Sequence, residues 1–215
     1  MAILKEILLL FMERTQFFLD LLIQHIVLSA ISIAIITVIG ISLGVLMSGN
    51  KALANIILAV TNFFYTIPSI ALFGFLVAIT GIGAKSAIIA LVIYGLLPII
   101  RNTYVGLIEI DPQIIDAAVG MGSTDLQLMR RVRFPLALPV IFAGFRNMVV
   151  MTIALAGIAS FIGAGGLGVA IWRGITTNYP AMTVAGSLLV ALLAIAADFI
   201  LGLLEKRIGG IYHEN

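Results

Sequence analysis

The sequence contains no cysteine, which excludes disulfides and thiol chemistry. It has two histidines, His25 and His213, too few and too far apart to suggest a metal site. Charge is scarce as well. Charged residues make up 10% of the 215, against about a quarter in soluble domains. No Asp, Glu, Lys, Arg or His occurs in 26–49, 52–84, 147–172 or 174–197. No His-Glu-x-x-His, Gly-x-Ser-x-Gly or carboxylate pair is present, so a membrane-embedded hydrolase has little support. There is no Gly-x-x-x-x-Gly-Lys-Ser/Thr, and any ATP chemistry has to come from a separate chain. Sequence repeats and low-complexity tracts are absent too, so 1–215 reads as a single domain.

What fills the chain is apolar: 62% hydrophobic residues and a mean hydropathy of +1.22. A spanning helix needs about 20 apolar residues to cross about 30 Å of hydrocarbon, and several of the charge gaps exceed that. The runs are rich in Leu, Ile, Ala and Gly without period-two alternation, which favours a helical bundle over a barrel. The sequence therefore predicts an all-α, multi-pass membrane protein with five spans, roughly 24–47, 53–79, 86–107, 138–161 and 181–204. Lys5, Glu6, Glu13, Arg14 and Asp20 interrupt any cleavable leader. Residues 3–23 instead predict an amphipathic helix at the interface or leading into the first span.

Basic residues set the orientation. One side collects Lys51, Arg101, Arg130, Arg131, Arg133, Lys206 and Arg207, with Arg146 just inside the membrane, while Lys5, Arg14, Lys85 and Arg173 fall on the other. The first side is expected to be cytoplasmic, with the N-terminus outside and the C-terminus inside. A net charge of +2 and an isoelectric point near 9.1 give no reason to invoke nucleic acid in a chain of this kind.

The polar exception is 108–137, which the orientation places in the cytoplasm. Asp111-Pro112 is a helix start, an N-cap carboxylate before a proline at the first helical position. Ile114, Ile115, Ala118 and Val119 fall on one face. Gly120 and Gly122 are suited to end that helix, and Thr124 with Gln127 can form a capping box for a second one. The second helix carries Arg130, Arg131 and Arg133 and is expected to stop before Pro135. The residues alone leave two readings open: an interfacial pair that anchors the bundle on lipid, or a surface that another protein touches.

The segment resembles the "EAA" signature of ABC-transporter permeases: EAA, three residues, Gly, nine residues, Ile-x-Leu-Pro. The match is Asp116-Ala117-Ala118, Gly122, Val132 and Phe134-Pro135 at that spacing, with Asp for Glu, Val for Ile and Phe for Leu. Nearly the whole chain shares the resemblance. His25-Ile26-Val27-Leu28-Ser29 and Thr66-Ile67-Pro68-Ser69 are similar to binding-protein-dependent importers. Tyr94-Gly95-Leu96-Leu97-Pro98, Arg101-Asn102-Thr103 and the run Ala159 to Gly168 resemble the glycine betaine/carnitine/choline (osmoprotectant) subgroup. Tyr65 departs from that subgroup, where a polar amide is expected.

The resemblance implies a type I ABC importer permease fold and a transport subunit that is not itself an enzyme. In that family the EAA segment is a coupling helix. The implied ATPase-coupling residues are Asp116, Ala117, Ala118, Gly122, Val132 and Pro135. Implied partners are a cytoplasmic ABC ATPase dimer carrying ATP and Mg, a second permease subunit in a homo- or heterodimer, and an extracytoplasmic solute-binding protein. The setting is a bacterial cytoplasmic membrane with its lipid. Runner-up readings are a permease for methionine or another small solute, and an ATP-independent secondary transporter or channel. The last would call for mid-membrane charge and inverted repeats.

Several residues inside the spans are candidates for the path or its gate. Pro68 and Pro98 each remove a backbone hydrogen bond and kink their helix. Arg146 and Asp198 are expected to pair, since an intramembrane charge costs on the order of 3 kcal/mol. Arg101 reads equally as a snorkelling side chain. Gly163, Gly165 and Gly168 fit Gly-x-Gly-x-x-Gly, but no strand precedes them and no acidic residue follows about 20 positions on, so a nucleotide site is rejected. They read as an external re-entrant turn or gate, or as a flexible loop. Phe63, Phe64, Tyr65, Tyr94 and Trp172 could face a quaternary ammonium by cation–π contact, or simply pack.

Overall fold

The computed structural model describes residues 2–213, with side-chain surroundings for 3–207. Every regular element among the described residues is helical. In chain order these are α1 (Ala2–Glu13), α2 (Thr15–Ser48), α3 (Lys51–Thr66), α4 (Ser69–Thr80), α5 (Ala84–Ile108), α6 (Pro112–Gly120), α7 (Asp125–Leu128), α8 (Phe134–Ala159), α9 (Gly168–Thr176) and α10 (Pro180–His213). Helices α2, α5 and α10 and the continuous run Asp125–Ile162 are long and apolar enough to cross a membrane, and α3 with α4 makes a broken fifth.

Packing fixes how the helices run. Gly95, Gly40 and Gly44 let α5 and α2 approach so closely that a methyl group would collide with Ile36, Ile99 and Thr103 respectively. Partner numbers rise together along both helices, so α2 and α5 are parallel. Residues 49–83 must then carry the chain back to the side where α2 begins. In α5 and α8 the order reverses: Gly106 meets Ala137 and Val140, and Asn102 meets Gly144. Helix α10 runs opposite to α8, with Val190 beside Gly157 and Asp198 beside Arg146. Small residues at such crossings are how helices associate in lipid, where burial of apolar surface supplies little force. Some hydroxyls inside the bundle bond back to their own helix, as Ser32 does to the Leu28 carbonyl and Thr152 to that of Met148.

The structure corrects three expectations. The second span, predicted as 53–79, is not continuous: α3 and α4 meet at 99° across Ile67-Pro68. Proline disfavours a helical residue before it, and Ile67 is extended at φ −70°, ψ 129°. The amphipathic helix expected over 3–23 is two helices. Arg14 leaves the helical region, and the Thr15 hydroxyl bonds back to the carbonyls of Phe11 and Met12, a pattern that bends helices. Helix α1 then buries Ile7 and Leu10 in a cluster with Ala181, Met182 and Ala185 of α10. Thirdly, no helix stops before Pro135. The chain continues from α7 through a π-helical turn, Met129–Arg133, into α8, and the Phe134 amide donates five residues back to Met129. Widening the turn accommodates a proline ring that would otherwise crowd the preceding carbonyl.

Candidate functional site

Helix α6 stands at the end of the bundle where α2 and α5 finish and α8 begins. The Asp111 side chain accepts from the Gln113 amide at 2.8 Å, and Pro112 occupies the first turn. The other end is a Schellman closure. The Ser123 amide donates to the Ala118 carbonyl and the Gly122 amide to that of Val119, with Gly122 at φ +84°. Gly120 is the last helical residue. Thr124 and Gln127 form both halves of the capping box. The apolar residues of α6 are not all covered. Ala118 is buried, but Ile114 and Val119 are exposed, as are Met121 and Leu126 beyond them.

At 100° per residue, α6 presents two opposite faces, and each lines a cavity. Ile114, Ala117, Ala118 and Met121 share one of about 390 Å³ with Val132. Pro112, Ile115 and Asp116 share the other, about 290 Å³, with Ser48 and Arg133. The structure thus brings Ala117 and Ala118 to Val132, and Asp116 to Arg133, while Gly122 and Pro135 sit at the helix end and the root of α8. Sequence reasoning treated Arg133 only as part of a basic cluster. Its Nε is buried and has no hydrogen-bond partner among the described residues.

Within the bundle, Arg146 pairs with Asp198 through two hydrogen bonds, Nε to Oδ1 at 2.6 Å and Nη2 to Oδ2 at 2.8 Å. It also donates from Nη1 to Glu205 at 2.6 Å. Gly202, between the two carboxylates on α10, leaves room for the guanidinium to lie across the helix. Glu205 was missed, although it stands seven residues, two helical turns, beyond Asp198 and therefore on the same face. Arg101 is exposed.

At the α3–α4 break the Tyr94 hydroxyl donates to the Ile67 carbonyl, which the break leaves without a helical partner. The Tyr65 ring lies 6.1 Å from that of Tyr94, half exposed, with its hydroxyl 3.7 Å from Met151 Sδ. Trp172 is elsewhere, its ring 4.9 Å from that of Phe161 and tilted by 41°. Pro68 precedes the first turn of α4, and Pro98 lies inside α5, where Asn102 Nδ2 donates to its carbonyl.

The glycine run at the opposite end of the bundle is tied down on three sides. The Gly83 amide donates to the Ile162 carbonyl, Ser160 Oγ to that of Gly165, and the Gly166 amide to Gln24 Oε1 of α2. The His25 ring beside it is fully buried, with Nε2 3.0 Å from the Ile153 carbonyl of α8. Gly163 and Gly165 both have positive φ, and Gly168 lies against the Gly157 carbonyl with no room for a side chain.

Residues 36–210 match the family described as binding-protein-dependent transport system inner membrane component. The chain is 41% identical over 189 residues to the glycine betaine/carnitine/choline transport system permease protein OpuCD of Bacillus subtilis (strain 168), covering 87% of this chain and 82% of that protein. It is 45% identical over 186 residues to the ergothioneine transport permease/ergothioneine binding protein EgtU of Helicobacter pylori (strain G27). There it covers 86% of this chain but 32% of the relative, so the chain spans about a third of that longer protein. Among solved structures, an inward-facing conformation of the MetNI methionine ABC transporter superposes with a TM-score of 0.76 at 26% identity, covering 86% of this chain and 93% of that one.

Proposed function

We propose a specific transport role from one established premise: the chain belongs to the family of inner-membrane components of binding-protein-dependent transport systems. It is the permease subunit of an ABC importer for a quaternary-ammonium compatible solute of the glycine betaine, carnitine and choline class. The observation that carries the coupling half of this reading is α6. It is a short helix capped at both ends, with Ile114, Val119 and Met121 exposed and the small residues Ala117 and Ala118 beside a groove. Exposed apolar side chains around small residues suit a protein partner better than solvent. Seven basic residues flanking the spans at this end support its facing the cytoplasm, with the N-terminus outside.

In this reading α6 docks on a cytoplasmic ABC ATPase dimer that holds ATP and Mg. Asp116, Ala117, Ala118, Gly122, Val132 and Pro135 form or shape the contact. A second permease subunit completes the path, and a solute-binding protein delivers from outside at the end bearing Gly163, Gly165 and Gly168. Alternating access follows as a population shift driven by the different affinities of the two states for ATP. Tyr65 and Pro68, at the α3–α4 break, and Pro98 are proposed to line or shape the path. The half-exposed Tyr65 ring offers a cation–π face. Arg146 and Asp198, with Glu205, hold α8 and α10 together as the path opens and closes.

The test is uptake into proteoliposomes containing the permease, its ATPase and its binding protein. Labelled glycine betaine should accumulate only with ATP inside the ATPase-bearing compartment, and unlabelled carnitine and choline should compete better than methionine. Equal uptake without ATP would sink the importer reading. Competition by methionine or ergothioneine alone would move the substrate class.

A further inference from the structure

Helix α6 lies between two cavities, and the one on its Asp116 face holds a charge arrangement that the structure leaves incomplete. Of the residues lining that cavity, Asp116 and Arg133 alone carry formal charge. Neither makes an ion pair within 4.0 Å among the described residues, where Arg146 supplies both pairs found. Arg133 Nε is buried and unpartnered, a state that costs free energy until a hydrogen-bond acceptor reaches it. Arg133 sits on the π-helical turn at the root of α8, and Asp116 on α6, so one contact would join the two elements. Room for the movement exists on both sides. The cavities measure about 290 and 390 Å³, and Gly122 at the end of α6 has no neighbouring atom within 4 Å of where a side chain would start.

We propose that Arg133 is a positioning residue for ATP-driven transport: it closes on Asp116 across this cavity when the ATPase loads α6, and that ion pair makes the root of α8 follow the coupling helix. The pair is open in the present structure and forms in the ATP-loaded state. This rests on the reading of α6 as the coupling helix. The chain exploits the widened turn at Met129–Arg133 twice, once to admit Pro135 and once to aim Arg133 at α6 while its neighbour Val132 lines the cavity on the other face.

The experiment uses the assembled complex in proteoliposomes, with labelled glycine betaine, carnitine and choline supplied together as the probe. Asp116→Asn and Arg133→Gln should each lower solute moved per ATP hydrolysed by about tenfold. Arg133→Lys should lose less, and the exchanged pair Asp116→Arg/Arg133→Asp should recover most of the loss, a coupling that a double-mutant cycle isolates. An exchanged pair no better than the product of the single losses overturns the inference. If the unaltered complex itself shows no ATP-dependent uptake, the transport reading fails and takes this one with it. If it transports and the exchange does not rescue, only the present inference fails.

Discussion

The two ends of this bundle use glycine for opposite purposes. At the α9 end the backbone is compressed. Gly168 touches the Gly157 carbonyl, and Gln24, His25 and Gly83 each reach the same turn from other elements. At the α6 end Gly120 and Gly122 meet nothing within 4 Å, and large apolar side chains stand uncovered. One end is tightly packed and the other loosely. The glycines at the two ends are told apart by what a Cβ would meet, which the residue type alone does not reveal. The contrast breaks first at Gly168. A valine there would drive Cβ into a backbone carbonyl and within 2.6 Å of Ser160 Oγ, neither the far end of a flexible side chain. Overpacking of this kind costs about 3 kcal/mol. Gly168→Val should therefore show a sharply lower thermal unfolding temperature in detergent, followed by the fluorescence of the single tryptophan, Trp172. Wild-type stability would mean the α9 end is as loose as the α6 end.

A smaller effect is expected between the two ends, at the α3–α4 break. Tyr94→Phe removes the hydroxyl that satisfies the part-buried Ile67 carbonyl, and losing that hydrogen bond costs about 1 kcal/mol. Unfolding should move down by less than in Gly168→Val, and amide exchange should accelerate around residues 64–72 first. Exchange that rises uniformly over α5 instead would show that the hydroxyl supports the bundle and not the break. Similar in size is Gln24→Ala, which removes one hydrogen bond to the Gly166 amide and should cost about 1 kcal/mol. A loss as large as that of Gly168→Val would place the weight of the α9 end on this hydrogen bond instead of on close packing.

The local signals in 108–137 were legible because they are chemical and short-range. Asp111-Pro112, Gly122 and the pair Thr124 and Gln127 act where the sequence puts them. The Arg146–Asp198 pair was legible for a different reason: a lone charge in lipid needs a partner, and few were on offer. The rest depended on neighbours far along the chain. Pro68 was expected to kink a span. It breaks one, because Tyr94 is in place to satisfy the carbonyl that the break frees. Pro135 was expected to end a helix, and a π-turn carries the helix past it. Arg133 and Glu205 gained their significance from opposing elements, Asp116 across a cavity and Arg146 across a helix crossing.

The α6 end sharpens the contrast through a variant that should barely touch stability. Gly122 holds φ +84° in open space, so a side chain there meets no obstacle and only the backbone resists. A residue with Cβ in the left-handed region costs on the order of 1–2 kcal/mol, and a β-branched one resists it most. That cost falls on the closure of α6, whose exposed turns can fray without disturbing the crossings of α2, α5, α8 and α10. Gly122→Val should leave the unfolding temperature of the bundle unchanged while lowering solute uptake per ATP hydrolysed. Gly122→Asn, which tolerates positive φ, should restore most of it. If Gly122→Val transports like the unaltered chain, α6 is an anchor and not a lever. If it destabilises the bundle as much as Gly168→Val, the two ends are mechanically one body.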